Sequence, residues 1–227
     1  HLDFENDADE FQFAIVSDNS GGGRAGVLPS ALEMVNRLQP EFVVSLGDLI
    51  EGYTDATGAP ADEATYREWW RELDEHLAQV EMPFFFIAGN HDLNNPASVA
   101  VWRDRFGGGR EYYHFRYKDV LFIALDTEDA ERPMPENMEE DIKTYNRLKK
   151  EDPKKAMAFV VEWMGTPEAE EAFGEGAQVE FPEEQRAWFK KVLAENTDVR
   201  WTFVFLHEPV WNNPSDSFKE IDEAIQG

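Results

Sequence analysis

The run Phe84-Phe85-Phe86-Ile87-Ala88-Gly89-Asn90-His91-Asp92 turns from wholly apolar to wholly polar at a single glycine. An apolar stretch with no polar face suits a strand covered on both sides, which is a property of α/β folds. In such folds ligands gather beyond the carboxyl ends of the strands. The amide, imidazole and carboxylate after Gly89 are therefore placed for chemistry rather than for packing.

The same pattern recurs on either side. Residues 11–17 (FQFAIVS) read as a strand that delivers Asp18-Asn19-Ser20, and residues 42–46 as one that ends in Gly47-Asp48. Between them, Leu28, Leu32, Val35 and Leu38 share one face of a helix over 28–38 that Pro40 stops. Residues 64–80 form a second amphipathic helix carrying Trp69, Trp70, Leu73 and Leu77, and the strand over 84–88 follows Pro83. Strand, helix, strand, helix, strand predicts a parallel sheet with right-handed crossovers. Residues 111–117 and 120–126, separated only by Lys118-Asp119, carry a hairpin signal, so the sheet is expected to become mixed. Residues 183–195 give one more helix, with Trp188, Phe189, Val192 and Leu193 inward, and the strand over 200–206 ends in His207-Glu208-Pro209.

Other stretches punctuate this frame. Residues 1–10 are an acidic start, 21–26 a glycine-rich loop, 54–63 a polar loop and 212–227 a polar tail. Residues 127–182 are rich in Glu, Lys and Met and are broken by Pro133, Pro135, Pro153 and Pro167, as expected of an inserted helical excursion. Trp69, Trp70, Trp188 and Trp201 are assigned to packing, His76 and His114 to structural roles, and Trp102 and Trp211 fall nearer the site edge.

Composition narrows the function. With 227 residues, 42% hydrophobic and 30% charged, the chain suits one soluble globular domain. It holds no apolar run near the ~18 residues that span a bilayer. The start at His1 fits a trimmed or mature form, so secretion or a periplasmic address after loss of a signal peptide is compatible, as is any other compartment. The net charge of -26 argues against nucleic acid as a partner. An anionic substrate would need a local positive centre, for which a bound cation is the natural source. The lack of cysteine excludes disulfides, zinc–thiolate sites and a thiol nucleophile. Gly21-Gly22-Gly23 lacks the Lys-Ser/Thr of a P-loop and the spacing of a dinucleotide fingerprint.

Asp18, Asp48, Asn90 and His207 thus all fall at strand ends on one sheet edge. Two carboxylates, an amide oxygen and an imidazole suit Mn, Fe, Zn, Ni or Co better than Mg or Ca alone. One shared carboxylate can bridge two cations about 3.5–4 Å apart. His91 sits beside a ligand, where it can protonate a leaving oxygen. Asp92 reads as a brace for the loop or for a histidine rather than as a ligand. Ser20, Arg24 and Asp92 are the candidates for touching substrate.

In that order, Gly47-Asp48, Gly89-Asn90-His91-Asp92 and His207 resemble the calcineurin-like metallophosphoesterase superfamily over residues 11–211. The resemblance implies an α/β protein built as a four-layer α/β/β/α sandwich with mixed sheets. It implies up to two metal ions, with Asp48 bridging, Asn90 and His207 on the second metal and Asp18 on the first. It further implies hydrolysis of a phosphate mono- or diester, small-molecule or protein, by metal-activated hydroxide, with His91 as proton donor.

The chain departs from the pattern in three places. Ser20 stands where the family often has histidine. Glu51 stands where the purple acid phosphatase branch has a tyrosine, and Tyr53 lies two residues further on. No histidine comes after His207, where the family has Gly-His-x-His. The expectation is one catalytic domain over 1–227 with its C-terminal part missing and with one metal or none in this form. The alternative is a non-catalytic binding or scaffold member with a reduced site.

Overall fold

The computed structural model describes residues 10–20, 24–53, 61–108, 111–128, 138–167, 169 and 178–226. The glycine run 21–23, most of the 54–63 loop, nearly all of the acidic start and parts of the 127–182 insertion lie outside them.

β1 (Ala14–Val16), β2 (Val43–Ser45) and β3 (Phe84–Phe86) form a wholly parallel sheet with β2 central. Val16, Ser45 and Phe86 are aligned in register, so the three strands end level and their succeeding turns meet at one rim. The crossovers are α1 (Val27–Leu38) and α2 (Glu63–Leu77). Asp62 caps α2 by accepting from Thr65 N at 2.9 Å.

β4 (Tyr113–Tyr117) and β5 (Val120–Ala124) make the expected hairpin, but they do not join the first sheet. They found a second one, in which β5 is central, antiparallel to β4 and parallel to β6 (Trp201–Phe205). The single mixed sheet is thereby corrected to two. Side-chain alternation along β5 explains the separation. Val120, Phe122 and Ala124 face the first sheet, whereas Leu121, Ile123 and Leu125 face helices.

Between the sheets lies an aromatic core around the fully buried Phe122. It meets Phe42 edge-on at 5.2 Å and Phe13 edge-on at 5.4 Å, and stacks on Phe115 at 4.9 Å. Outside the first sheet, α2 and α3 (Pro96–Arg105) bury Tyr66, Trp70, Val101 and Trp102. Outside the second, α6 (Glu183–Glu195) and α7 (Asp216–Gln226) bury Phe189, Val192 and Ile221. The layers therefore run α/β/β/α, as the resemblance implies.

Several expectations are revised. α3 falls between the third strand and the hairpin, where the sequence reading assigns no element. Its start is a capping box in which Asn95 and Ser98 exchange bonds, with Pro96 at the first helical position. Trp102 packs against Trp70 at 5.7 Å and belongs to this core, not to the site edge. The polar tail contains α7, whose Ile221 is buried. Trp201 and Leu38, expected inside, are 62% and 51% exposed. The insertion contributes α4 (Met138–Glu151) and α5 (Pro153–Trp163), tied by Trp163 Nε1 donating to Asp141 at 2.9 Å. Val179 and Phe181, near its end, return to the core. Among the described residues no helix is long and apolar enough to cross a membrane.

Candidate metal centre

Asp18 and Asp48 each come just after a strand, with φ of 56°. That left-handed conformation is open to few residues besides glycine, and aspartate is one of them. It turns both side chains off the strand direction and over the rim. Main-chain bonds hold the two turns together: Asp18 N donates to Gly47 O at 3.2 Å and Ser20 N to Asp48 O at 3.0 Å. Asn19 Nδ2 adds a bond to Leu49 O at 3.1 Å.

Gly47 and Gly89 set the approach of β2 to β3. A Cβ on Gly47, where φ is 101°, would lie 2.6 Å from Gly89 N and 2.7 Å from its Cα. A Cβ on Gly89 would lie 2.6 Å from Asp48 N and 2.9 Å from the His207 ring. Both positions need a bare backbone, and that closeness brings Asp48 beside the residues after Gly89.

Asp92 fixes this arrangement from beneath. It is fully buried. Oδ2 accepts from Asp48 N at 2.7 Å and Gly89 N at 3.0 Å, while Oδ1 accepts from Leu49 N at 3.2 Å and Ile50 N at 3.4 Å. Burial, and then the charge of Asp48, push its carboxyl up to about 6 against the pull of those N–H bonds. A substrate contact for Asp92 is corrected by this burial; the brace reading describes where it sits.

The polar atoms above the brace converge. Asp18, Asp48 and His207 each offer one ligand atom, and these atoms lie within 4.8 Å of one another. His207 Nδ1 meets Leu46 O at 2.7 Å, and since that carbonyl can only accept, Nδ1 carries the proton. In neutral His207, Nε2 is then a bare lone pair. It faces Asn90 Oδ1 at 3.0 Å and Asp48 Oδ1 at 3.5 Å. With the ring neutral, Nε2 and the two oxygens beside it are all acceptors, an arrangement that a cation relieves. The donor set fits a metal ion on this ground.

His91 is held on the other side of Asp48. Its backbone N donates to Asp48 Oδ1 at 2.9 Å, its Nδ1 is hydrogen-bonded to the Glu51 carbonyl, and its Nε2 lies 3.9 Å from Asp48 Oδ2. Ser20 is engaged with the main chain, its Oγ donating to Asp48 O at 3.0 Å. The exposed Arg24 guanidinium makes no hydrogen bond or ion pair among the described residues, and nothing links it to the cluster.

Two groups at the rim lie beyond the site residues expected from sequence. Tyr53 OH accepts from Asn90 Nδ2 at 2.7 Å, and its ring meets His91 edge-on at 4.8 Å. Burial, first, and then nearby Glu128, Asp48 and Glu208 push the phenol upward, against the Asn90 bond, so it stays neutral. Glu128 accepts from Thr127 Oγ1 at 2.8 Å, and Thr127 Oγ1 accepts from Glu208 N at 3.3 Å. Burial and the charge of Glu208 push the Glu128 carboxyl well above the ordinary carboxylate range. A sequence signal for Glu128 exists, because β5 also ends in polar residues, Asp126-Thr127-Glu128. Among the described residues no lysine or arginine pairs with Asp18, Asp48 or Glu208, so the rim is acidic with no basic side chain to offset it.

Comparison with known proteins places the fold. The chain is similar in structure to a dimetal phosphatase from Danio rerio, with a TM-score of 0.59 and 15% identity, over 95% of this chain and 77% of the other. It is 29% identical over 101 residues to the serine/threonine-protein phosphatase CPPED1 of Danio rerio, over 43% of this chain and 31% of that relative. The aligned part thus spans about a third of that curated relative's length. The model of the calcineurin-like phosphoesterases matches residues 11–225, and the chain belongs to that family.

Proposed function

We propose that the chain hydrolyses phosphate mono- or diesters at a cation centre held by Asp18, Asp48, Asn90 and His207, with His91 as the proton donor. The observation that carries this reading is the convergence of Asp18, Asp48 and His207, whose ligand atoms lie within 4.8 Å of one another, with Asn90 Oδ1 3.0 Å from His207 Nε2. A transition-metal ion there would polarise a phosphoryl oxygen and acidify a water. Asp48 is positioned to serve two cations, and the mixed donor set suits Mn, Fe, Zn, Ni or Co.

The protein's own groups supply the rest. Leu46 O fixes the His207 tautomer, so that Nε2 is the atom presented. The Glu51 carbonyl accepts the Nδ1–H of His91, so the proton that His91 would hand to a departing alkoxide is the Nε2–H of its imidazolium form. The acidic groups Asp18, Asp48 and Glu208 would repel a bare phosphoester, so a bound cation is also what would admit the substrate.

The test is metal content together with turnover of an aryl phosphate ester, on chelator-stripped protein with and without added Mn. Turnover should depend on the metal. Asn90→Ala should weaken Mn binding at least about tenfold, the lower end of the loss seen when an outer-shell partner is removed. Absence of both bound metal and turnover would retire the hydrolase reading. An Asn90→Ala protein with unaltered turnover would retire the ligand set.

A further inference from the structure

Tyr53 occupies a position its own backbone argues against. Its φ is 63°, directly after Gly52 at 64°. Gly52 has a steric reason, since a Cβ there would run into the His91 main chain at 2.8 Å or closer. Tyr53 has none, and a bulky residue in the left-handed region is an outlier. The main chain at 53 is satisfied by Ala61 N donating to Tyr53 O at 2.8 Å, a bond that glycine or asparagine would make equally well. Whatever keeps tyrosine here lies in its side chain, and an outlier of this kind points towards function.

The side chain reaches two consecutive residues of the candidate site. Its ring lies edge-on to His91 at 4.8 Å and 85°, and its hydroxyl accepts from Asn90 Nδ2 at 2.7 Å. An asparagine amide has two ends, of which only the oxygen can bind a cation. Turned over, Asn90 would donate Nδ2 to His207 Nε2 and close the site to metal, and its Oδ1 would need the Tyr53 hydroxyl as a donor instead. In the observed orientation Nδ2 needs an acceptor on the far side.

We propose that Tyr53 is a positioning residue that orients Asn90, its phenol oxygen holding the amide N–H so that Oδ1 is turned towards His207 and the cation. The assignment rests on the cation-centre reading above. It differs from a metal-ligating tyrosine, because the phenol oxygen addresses the amide. It makes the pair Gly52-Tyr53 part of the site's specificity for a cation over an internally hydrogen-bonded resting state.

The test is Mn binding to the whole chain, measured as free Mn by electron paramagnetic resonance, for wild type, Tyr53→Phe, Asn90→Asp and the double variant. Phenylalanine keeps the ring against His91 and removes only the hydroxyl, so the metal-free thermal midpoint should fall by no more than one lost hydrogen bond accounts for. Affinity for Mn should fall about tenfold in Tyr53→Phe. Asparagine changed to aspartate has two equivalent oxygens and no wrong orientation, so in the Asn90→Asp background the Tyr53→Phe penalty should vanish. Wild-type binding with an equal affinity in Tyr53→Phe overturns the Tyr53 assignment alone. A full penalty persisting in the Asn90→Asp background also overturns it, since packing would then be the cause. A wild type that takes up no Mn overturns the cation centre and the Tyr53 role with it.

Discussion

Gly47→Ala should cost the fold about 2–5 kcal/mol, while Gly26→Ala should cost about 1–2 kcal/mol. Both glycines have positive φ, 101° and 84°, so alanine at either pays the left-handed penalty of roughly 1–2 kcal/mol. The difference is what the new methyl meets. At Gly26 it would find nothing within 4 Å, whereas at Gly47 it would find the Gly89 N and Cα and the Ala88 carbonyl carbon, all within 2.9 Å. These are backbone atoms between paired strands and cannot swing aside, so overpacking adds about 1–3 kcal/mol. Urea denaturation of the two variants measures the gap directly. Equal losses would mean that β2 and β3 can separate at their ends, and that the close approach is not what seats Asp48 beside Asn90.

His91→Ala should lower kcat by about 10²–10⁴-fold, the range for loss of a general acid, with Mn affinity preserved. The bond that orients Asp48 comes from the His91 backbone N at 2.9 Å, and alanine keeps it. What goes is the ring, with Nε2 facing the space beside Asp48. The loss should depend on the leaving group: large for an alkyl phosphate, whose alkoxide needs a proton, and small for a nitrophenyl phosphate, whose phenolate departs without one. A uniform loss across leaving groups, accompanied by weaker Mn binding, would make His91 a structural residue and leave the proton donor to be sought elsewhere.

The strand ends are legible in the sequence because a buried parallel strand has no polar residues until it stops, so Asp18, Asp48, Asn90 and His207 stand out against their flanks. Asp18, Asp48 and Asn90 meet at one rim because β1, β2 and β3 end level, as the alternation of strands and helices implies, whereas His207 reaches it from β6 of the other sheet, which the alternation does not show. The features hidden from sequence depend on non-local pairing. Nothing in residues 111–126 says whether the hairpin extends one sheet or begins another; only the Leu121, Ile123 and Leu125 face, packed under α6 and α7, decides it. α3 lacks a clear apolar stripe, and its one local signal, Asn95-Pro96 with Ser98, is short. The role of Tyr53 cannot be found from spacing, since its hydroxyl meets Asn90 37 residues away in sequence. Glu128 carries the same strand-end signal, in Asp126-Thr127-Glu128, but falls at the start of the insertion.

Asp92 has a consequence beyond the bonds it makes. One carboxylate takes the main-chain N–H groups of Asp48, Leu49, Ile50 and Gly89, so the ends of two strands are clamped before any ion arrives. The ordering of those turns is completed when the chain folds, and arrival of a cation leaves little further motion to freeze. Capture should then be a matter of shedding water from a rigid cage, with almost no heat-capacity change, and a defect at Asp92 would loosen the grip on a metal that it never touches.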